Sequence, residues 1–209
     1  MSESLNDKHI LPSPARAFYS ISNKENEPAR QFLQNLMTGR ETPLFDEKKI
    51  SGNDLLQHIQ KLQWLQVFDQ PVTIPEGTIE DALPDLLKKL SSESKALLAD
   101  DQGLYLASTG FTHEASEELS ALSGDLSSLY VRHQGITKGN LNIKSSAFSL
   151  VDAAGYSQLG FWPLYIGNVT FVLVILGAPR FDQSAFVELV WMLHKSYFID
   201  EVSVDSDAA

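Results

Sequence analysis

Apolar positions from residue 78 onward switch between helical and alternating spacing. Ile79, Leu83, Leu86, Leu87 and Leu90 recur every three or four residues, which predicts an amphipathic helix. Thr78, with Asp81 three positions on, supplies its N-cap and a first-turn acid. Residues 95–99 and 104–108 read as two strands, joined by a turn of Asp100, Asp101, Gln102 and Gly103, with the glycine suited to a positive φ. A long helix over 112–134 follows. Its Ala115, Leu119, Leu122, Leu126, Leu129 and His133 form one seam, expected to cover the chain's own sheet. The small residues Ala121, Gly124 and Ser128 beside it are expected to admit a second backbone at close range. Residues 136–142 read as a polar, glycine-containing loop. Three strands should come next, over 147–151, 161–166 and 169–176, the last two joined by Gly167 and Asn168. Pro163 cannot donate to a ladder, so a bulge or a solvent-facing position is expected there. Asp182 is expected to cap a final helix carrying Phe186, Leu189, Val190, Leu193 and Tyr197.

The pattern before residue 78 is less regular. Residues 1–14 are polar and read as a flexible tail. Ala29, Phe32, Leu33, Leu36 and Met37 predict a helix from Pro28 with Gly39 as its C-cap. A short helix over 44–49 and a stronger one carrying Leu55, Leu56, Ile59 and Leu62 should follow. Two extended pieces, 64–68 and 72–74, end at Pro71 and Pro75. Three helices and a hairpin are the element order of a winged helix over 15–75, and a plain three-helix packing module gives the same pattern. On the third helix Asn53, Gln57, His58, Lys61 and Gln63 are candidate partner-binding residues, which in a DNA-binding winged helix enter the major groove. Only one of the five is a reliable cation, so a solvated helix face explains them as well. The proline- and glycine-containing stretch 72–77 reads as a linker, dividing 15–75 from 78–199, and 200–209 reads as an acidic tail.

From Thr78 the predicted order is helix, strand, strand, helix, strand, strand, strand, helix. Within it, residues 97–108 form an apolar strand, an acid-and-glycine turn, and a second strand ending in Ala107 and Ser108. This region resembles the roadblock/dynein light chain domain, over about 120 of the 209 residues. The resemblance implies an α+β fold, a five-stranded antiparallel sheet with the long middle helix on one face and the other two helices on the opposite face. It also implies dimers built from the long helix and the edge strand after it, and roles as adaptors or regulators of small GTPases. The expected homodimer interface is Ala121, Gly124, Ser128, Ala147, Phe148, Ser149 and Leu150.

Composition narrows the function classes. Hydrophobic residues make up 43%, enough for a normal core, so global disorder is disfavoured. There is no cysteine, which removes disulfides, thiolate nucleophiles and cysteine metal sites. No histidine pair has helical zinc-site spacing among His9, His58, His113, His133 and His194, and no metal or cofactor is expected. Phosphate loops, dinucleotide glycine patterns and a G-x-S-x-G elbow are all missing from the sequence. Asp100 and Asp101 read as turn chemistry in preference to an acid/base pair. Phe161, Trp162 and Tyr165 are a candidate docking patch, although aromatics in a strand are more often core. Trp191 and Met192 carry the same ambiguity on the final helix.

The net charge of −11 is uneven: residues 1–70 carry −1 and residues 71–209 carry −10. Neither part has the basic surplus that gives phosphate-backbone affinity, which disfavours nucleic acid as a partner. No signal-peptide pattern is read at the N-terminus, and the apolar run 169–178 is too short to span a bilayer. The expectation is a cytoplasmic, non-enzymatic, dimeric interaction or adaptor protein. The alternatives are a small-GTPase regulator, although Arg132 and Arg180 are the domain's two arginines and neither is an obvious arginine finger, and a transcription regulator acting through 15–75.

Overall fold

The computed structural model describes residues 7–25, 27–46, 63–74 and 77–197. Strand β1 (His9–Pro12) leads into α1 (Pro14–Ile21), α2 (Pro28–Asn35) and β2 (Leu65–Phe68). Then come α3 (Ile79–Lys89), β3 (Ala96–Asp100), β4 (Tyr105–Thr109), the long helix α4 (His113–Gln134), β5 (Phe148–Val151), β6 (Ser157–Ile166), β7 (Val169–Leu176) and α5 (Ser184–Tyr197). The five C-terminal strands form one antiparallel sheet in the order β4-β3-β7-β6-β5. This is the α+β architecture implied by the resemblance, with α4 on one sheet face and α3 and α5 on the other.

Several elements form for reasons visible in the sequence. Thr78 Oγ1 accepts from the Asp81 amide and Thr112 Oγ1 from the Ala115 amide, so both helices start on side-chain caps. The β3–β4 turn is held by Asp100, whose Oδ1 accepts from the Gln102 and Leu104 amides, while Gly103 takes φ +88°. These bonds are turn chemistry, as expected for Asp100.

The N-terminal part departs from its sequence reading. Residues 9–12 are not part of a flexible tail: they form β1, with Ile10 and Leu11 almost fully buried. Burial of those two apolar side chains offsets the entropy of ordering the strand. Helix α1 was not expected; Pro14 at its first position presets φ, and Ala17 and Ile21 face the core. The two extended pieces make no hairpin with each other. β2 pairs with β1, and Thr73 bridges Glu41. No helix begins at Leu44, which bridges His9, while the Phe45 amide donates to the Lys8 carbonyl. The preceding Thr42 and Pro43 favour extended backbone. The rest of that helix and the following one, with Asn53, Gln57, His58 and Lys61, lie outside the described residues.

The long helix is also corrected. Its buried side chains are Ser116, Ser120 and Ser123, not a leucine seam. The sheet beneath presents bulky Leu97, Phe161, Val172 and Val174, so small residues on the helix let the two layers close. Each serine hydroxyl donates to a carbonyl one turn back, at 3.0, 2.8 and 2.7 Å, which satisfies it without water. Leu119 and Leu126 pack at the margin of this contact, whereas Leu122 and Leu129 are each 41% exposed. The expected loop after the helix is instead a π-helical turn, Gly135–Asn140. Pro163 causes no bulge: β6 and β7 stay in register through it, and among the described residues β5, which begins opposite Phe161, does not reach it. The irregularity lies in β5 instead, between Leu150 and Val151. The final helix starts at Ser184, two residues after Asp182.

Candidate interaction surface

β5 forms one edge of the sheet, and Ser149, Leu150 and Val151 are exposed along it. Leu150 is 63% and Val151 57% exposed, a large apolar offering for an edge strand with no second neighbour among the described residues. Phe148 anchors the strand from the other side, its ring meeting Tyr130 of α4 edge-on at 6.5 Å. That contact sets the C-terminal half of α4 beside β5. Leu122 and Leu129, seven residues apart, lie two helical turns from each other on one flank of α4. The flank exposes Leu122 and Leu129, and the strand edge exposes Leu150 and Val151, with no further strand paired to β5 among the described residues.

The expected interface residues divide. Leu150 and Ser149 are exposed on the edge, and Ala147 and Phe148 are half-buried. Ser149 Oγ donates to Ser157 Oγ at 2.8 Å across the β5–β6 pair. Ala121 and Ser128 are exposed on α4. Gly124 has an intramolecular role that the sequence did not reveal: a Cβ placed on it would stand 3.3 Å from the Gly103 amide nitrogen in the β3–β4 turn. It therefore serves the fold. Leu122 and Leu129 were missed as surface residues, because apolar residues at helical spacing look the same whether or not a neighbour covers them.

The candidate aromatic docking patch is not exposed, and the core reading of these aromatics holds best for Phe161. Phe161 is 3% exposed, inside the core under α4. Trp162 is half-buried, with its ring against Phe181 at 5.3 Å, and Tyr165 donates to Ser146 Oγ. Trp191 and Met192 are buried too, with Trp191 Nε1 donating to the Gly39 carbonyl at 2.8 Å. The chain's own N-terminal part occupies that helix face.

No protein-family model matches the chain, and no curated protein matches it. Two solved structures are similar. One is a roadblock/LC7 domain from Streptomyces avermitilis, 19% identical, with a TM-score of 0.38 over 57% of this chain and 94% of that one. The other is MglB of Myxococcus xanthus, 14% identical, with a TM-score of 0.39 over 59% of this chain and 93% of that one.

Among the described residues no group of three or more histidines, aspartates or glutamates is placed to hold a metal ion. No described helix is long and apolar enough to cross a membrane.

Proposed function

We propose that this chain is a non-enzymatic interaction protein that works as a homodimer, joined through β5 and the adjoining flank of α4. The observation that carries this reading is the exposed edge strand with Leu150 and Val151, together with the exposed Leu122 and Leu129 on α4. Antiparallel pairing of β5 with its two-fold mate satisfies the free edge of both sheets in one isologous contact. The same symmetry brings the two α4 flanks together, and each leucine transferred from water there contributes about 1.5–3 kcal/mol. The dimer presents two copies of every other surface to partners. The small-GTPase and DNA-binding alternatives gain no supporting contact from the described residues.

Light scattering on the full chain at tens of micromolar tests the proposal. A dimer is expected for the wild type, and Leu129→Lys should raise its dissociation constant by about tenfold or more, since one leucine is lost from each side. Leu129 is exposed in the monomer, so folding should be intact by circular dichroism. A wild-type monomer at that concentration sinks the reading, as does a Leu129→Lys dimer of unchanged affinity.

A further inference from the structure

A cleft of about 560 Å³ opens at the C-terminal end of α4, on the sheet face that α4 covers. Four cations line it, from four separate stretches of chain. Lys24 follows α1, Arg132 lies in the last turn of α4, Lys138 in the π-helical turn, and Lys144 in the loop before β5. The carboxylates at the cleft are Asp101, in its wall, and Glu25, which Lys138 Nζ meets at 2.8 Å. Lys144 also acts on Glu25, and with Lys138 it holds that carboxyl below its ordinary range. The cleft thus carries a local charge of +2 in a chain whose net charge is −11.

One structural role accounts for part of this cluster. Cations at a helix C-terminus complement its dipole by about 0.3–1 kcal/mol, which covers Arg132 and Lys138. It does not cover Lys24 or Lys144, which belong to no helix. Lys24 Nζ lies 5.3 Å from the centre of the Tyr165 ring, an arrangement that leaves its ammonium at the cleft. Tyr130 and Tyr165 supply two aromatic walls and two phenol groups, and the hydroxyls of Ser127, Ser128 and Ser146 add further donors. Burial raises the Tyr165 phenol above its ordinary pKa, and the neutral hydroxyl donates to Ser146 Oγ.

We propose that this cleft binds a nucleoside phosphate. Lysines and an arginine suit an oxyanion with several acceptor oxygens, and hydroxyl donors complete its shell. The tyrosine rings suit a planar heterocycle. The volume lies within the 300–1,000 Å³ or so typical of small-molecule sites. Leu122, Leu129, Leu150 and Val151 do not line the cleft.

Calorimetric titration of the full chain with ADP, at low ionic strength and without added metal, tests the site. Saturable binding with a dissociation constant below about 1 mM is expected. The double variant Lys24→Glu/Lys144→Glu should weaken it by about tenfold or more. Lys88→Glu on α3, away from the cleft, controls for overall charge and should leave the affinity within about twofold. Both cleft lysines are exposed, so the fold should tolerate their replacement. Hydrogen exchange on the wild type provides a second measurement, with ADP slowing exchange over residues 127–146. Absence of saturable binding up to about 5 mM overturns the proposal. So does equal weakening by Lys88→Glu, adenosine binding as tightly as ADP, or unchanged exchange over 127–146 at saturating ADP.

Discussion

His194 is a buried histidine in a helix where nearly every neighbour is apolar. Its Nδ1 lies 3.0 Å from the Val190 carbonyl, and burial pushes the imidazole down to about 4 from an ordinary 6.5. Between those values the unfolded chain holds a proton that the folded chain does not, so stability rises with pH across that window. The contribution is fully present above pH 6.5 and is lost as pH falls toward 4, by about 3 kcal/mol at most. Carboxylates titrate in the lower part of the same window, so the difference between wild type and His194→Leu isolates the effect. Urea unfolding at pH 7 and pH 4.5 should show a larger loss for the wild type than for the variant. Equal losses would show that the ring's titration is not linked to folding. The sequence showed this histidine lacking a metal-site partner, but nothing in its spacing showed that it was buried.

At the level of elements, the long helix and the β3–β4 turn are fitted to each other by two glycines. A Cβ on Gly103 would stand 3.1 Å from the Ser120 carbonyl oxygen, and one on Gly124 would stand 3.4 Å from the Gly103 Cα. Each side of this contact is backbone, and Asp100 pins the turn, so neither can retreat cheaply. Gly124→Val should therefore destabilise the fold by about 1–3 kcal/mol, the usual cost of overpacking. Its dimer affinity should stay near that of wild type, because Gly124 faces the turn. Chemical denaturation and light scattering on the same sample check both halves. A variant that keeps wild-type stability but loses the dimer would return Gly124 to the interface. The sequence made the spacing of these small residues legible. It did not say whether the backbone they admit belongs to a second copy or to the chain's own turn.

Across the whole molecule, the N-terminal part and the sheet share one core. Leu11, Ala17, Ile21, Met37 and Ile74 pack in the same cluster as α3, α5 and the inner sheet face. Phe18 stacks on Phe181 at 5.3 Å, and Trp191 bonds to Gly39 across that boundary. This explains why α5 is buried around most of its circumference: one side meets the sheet and the other meets the N-terminal part. The chain should accordingly unfold in a single cooperative transition, with tryptophan fluorescence and far-ultraviolet circular dichroism coinciding. A chain beginning at Thr78 should be soluble only poorly, because it exposes Trp191, Met192 and their neighbours. A truncated form that is monodisperse and as stable as the full chain would show that the two parts are independent domains.

The sequence by itself determined the elements from Thr78 onward, with their order and most of their caps and turns. These are local matters: a threonine before a helix, an aspartate and glycine in a turn, apolar residues at period 2 or near 3.6. It also fixed the charge balance and the missing catalytic motifs. Which apolar residues are covered was decided only by the tertiary structure, because burial belongs to a pair of surfaces and periodicity describes one. Thus Ser116, Ser120 and Ser123 lie inside, and Leu122 and Leu129, expected to cover the sheet, lie outside. Tertiary pairing likewise drew residues 9–12 out of a presumed tail and joined them to β2, more than fifty residues away. It also gathered Lys24, Arg132, Lys138 and Lys144 at one cleft. No local pattern encodes contacts between such distant stretches, since they exist only once the chain has folded around the same core.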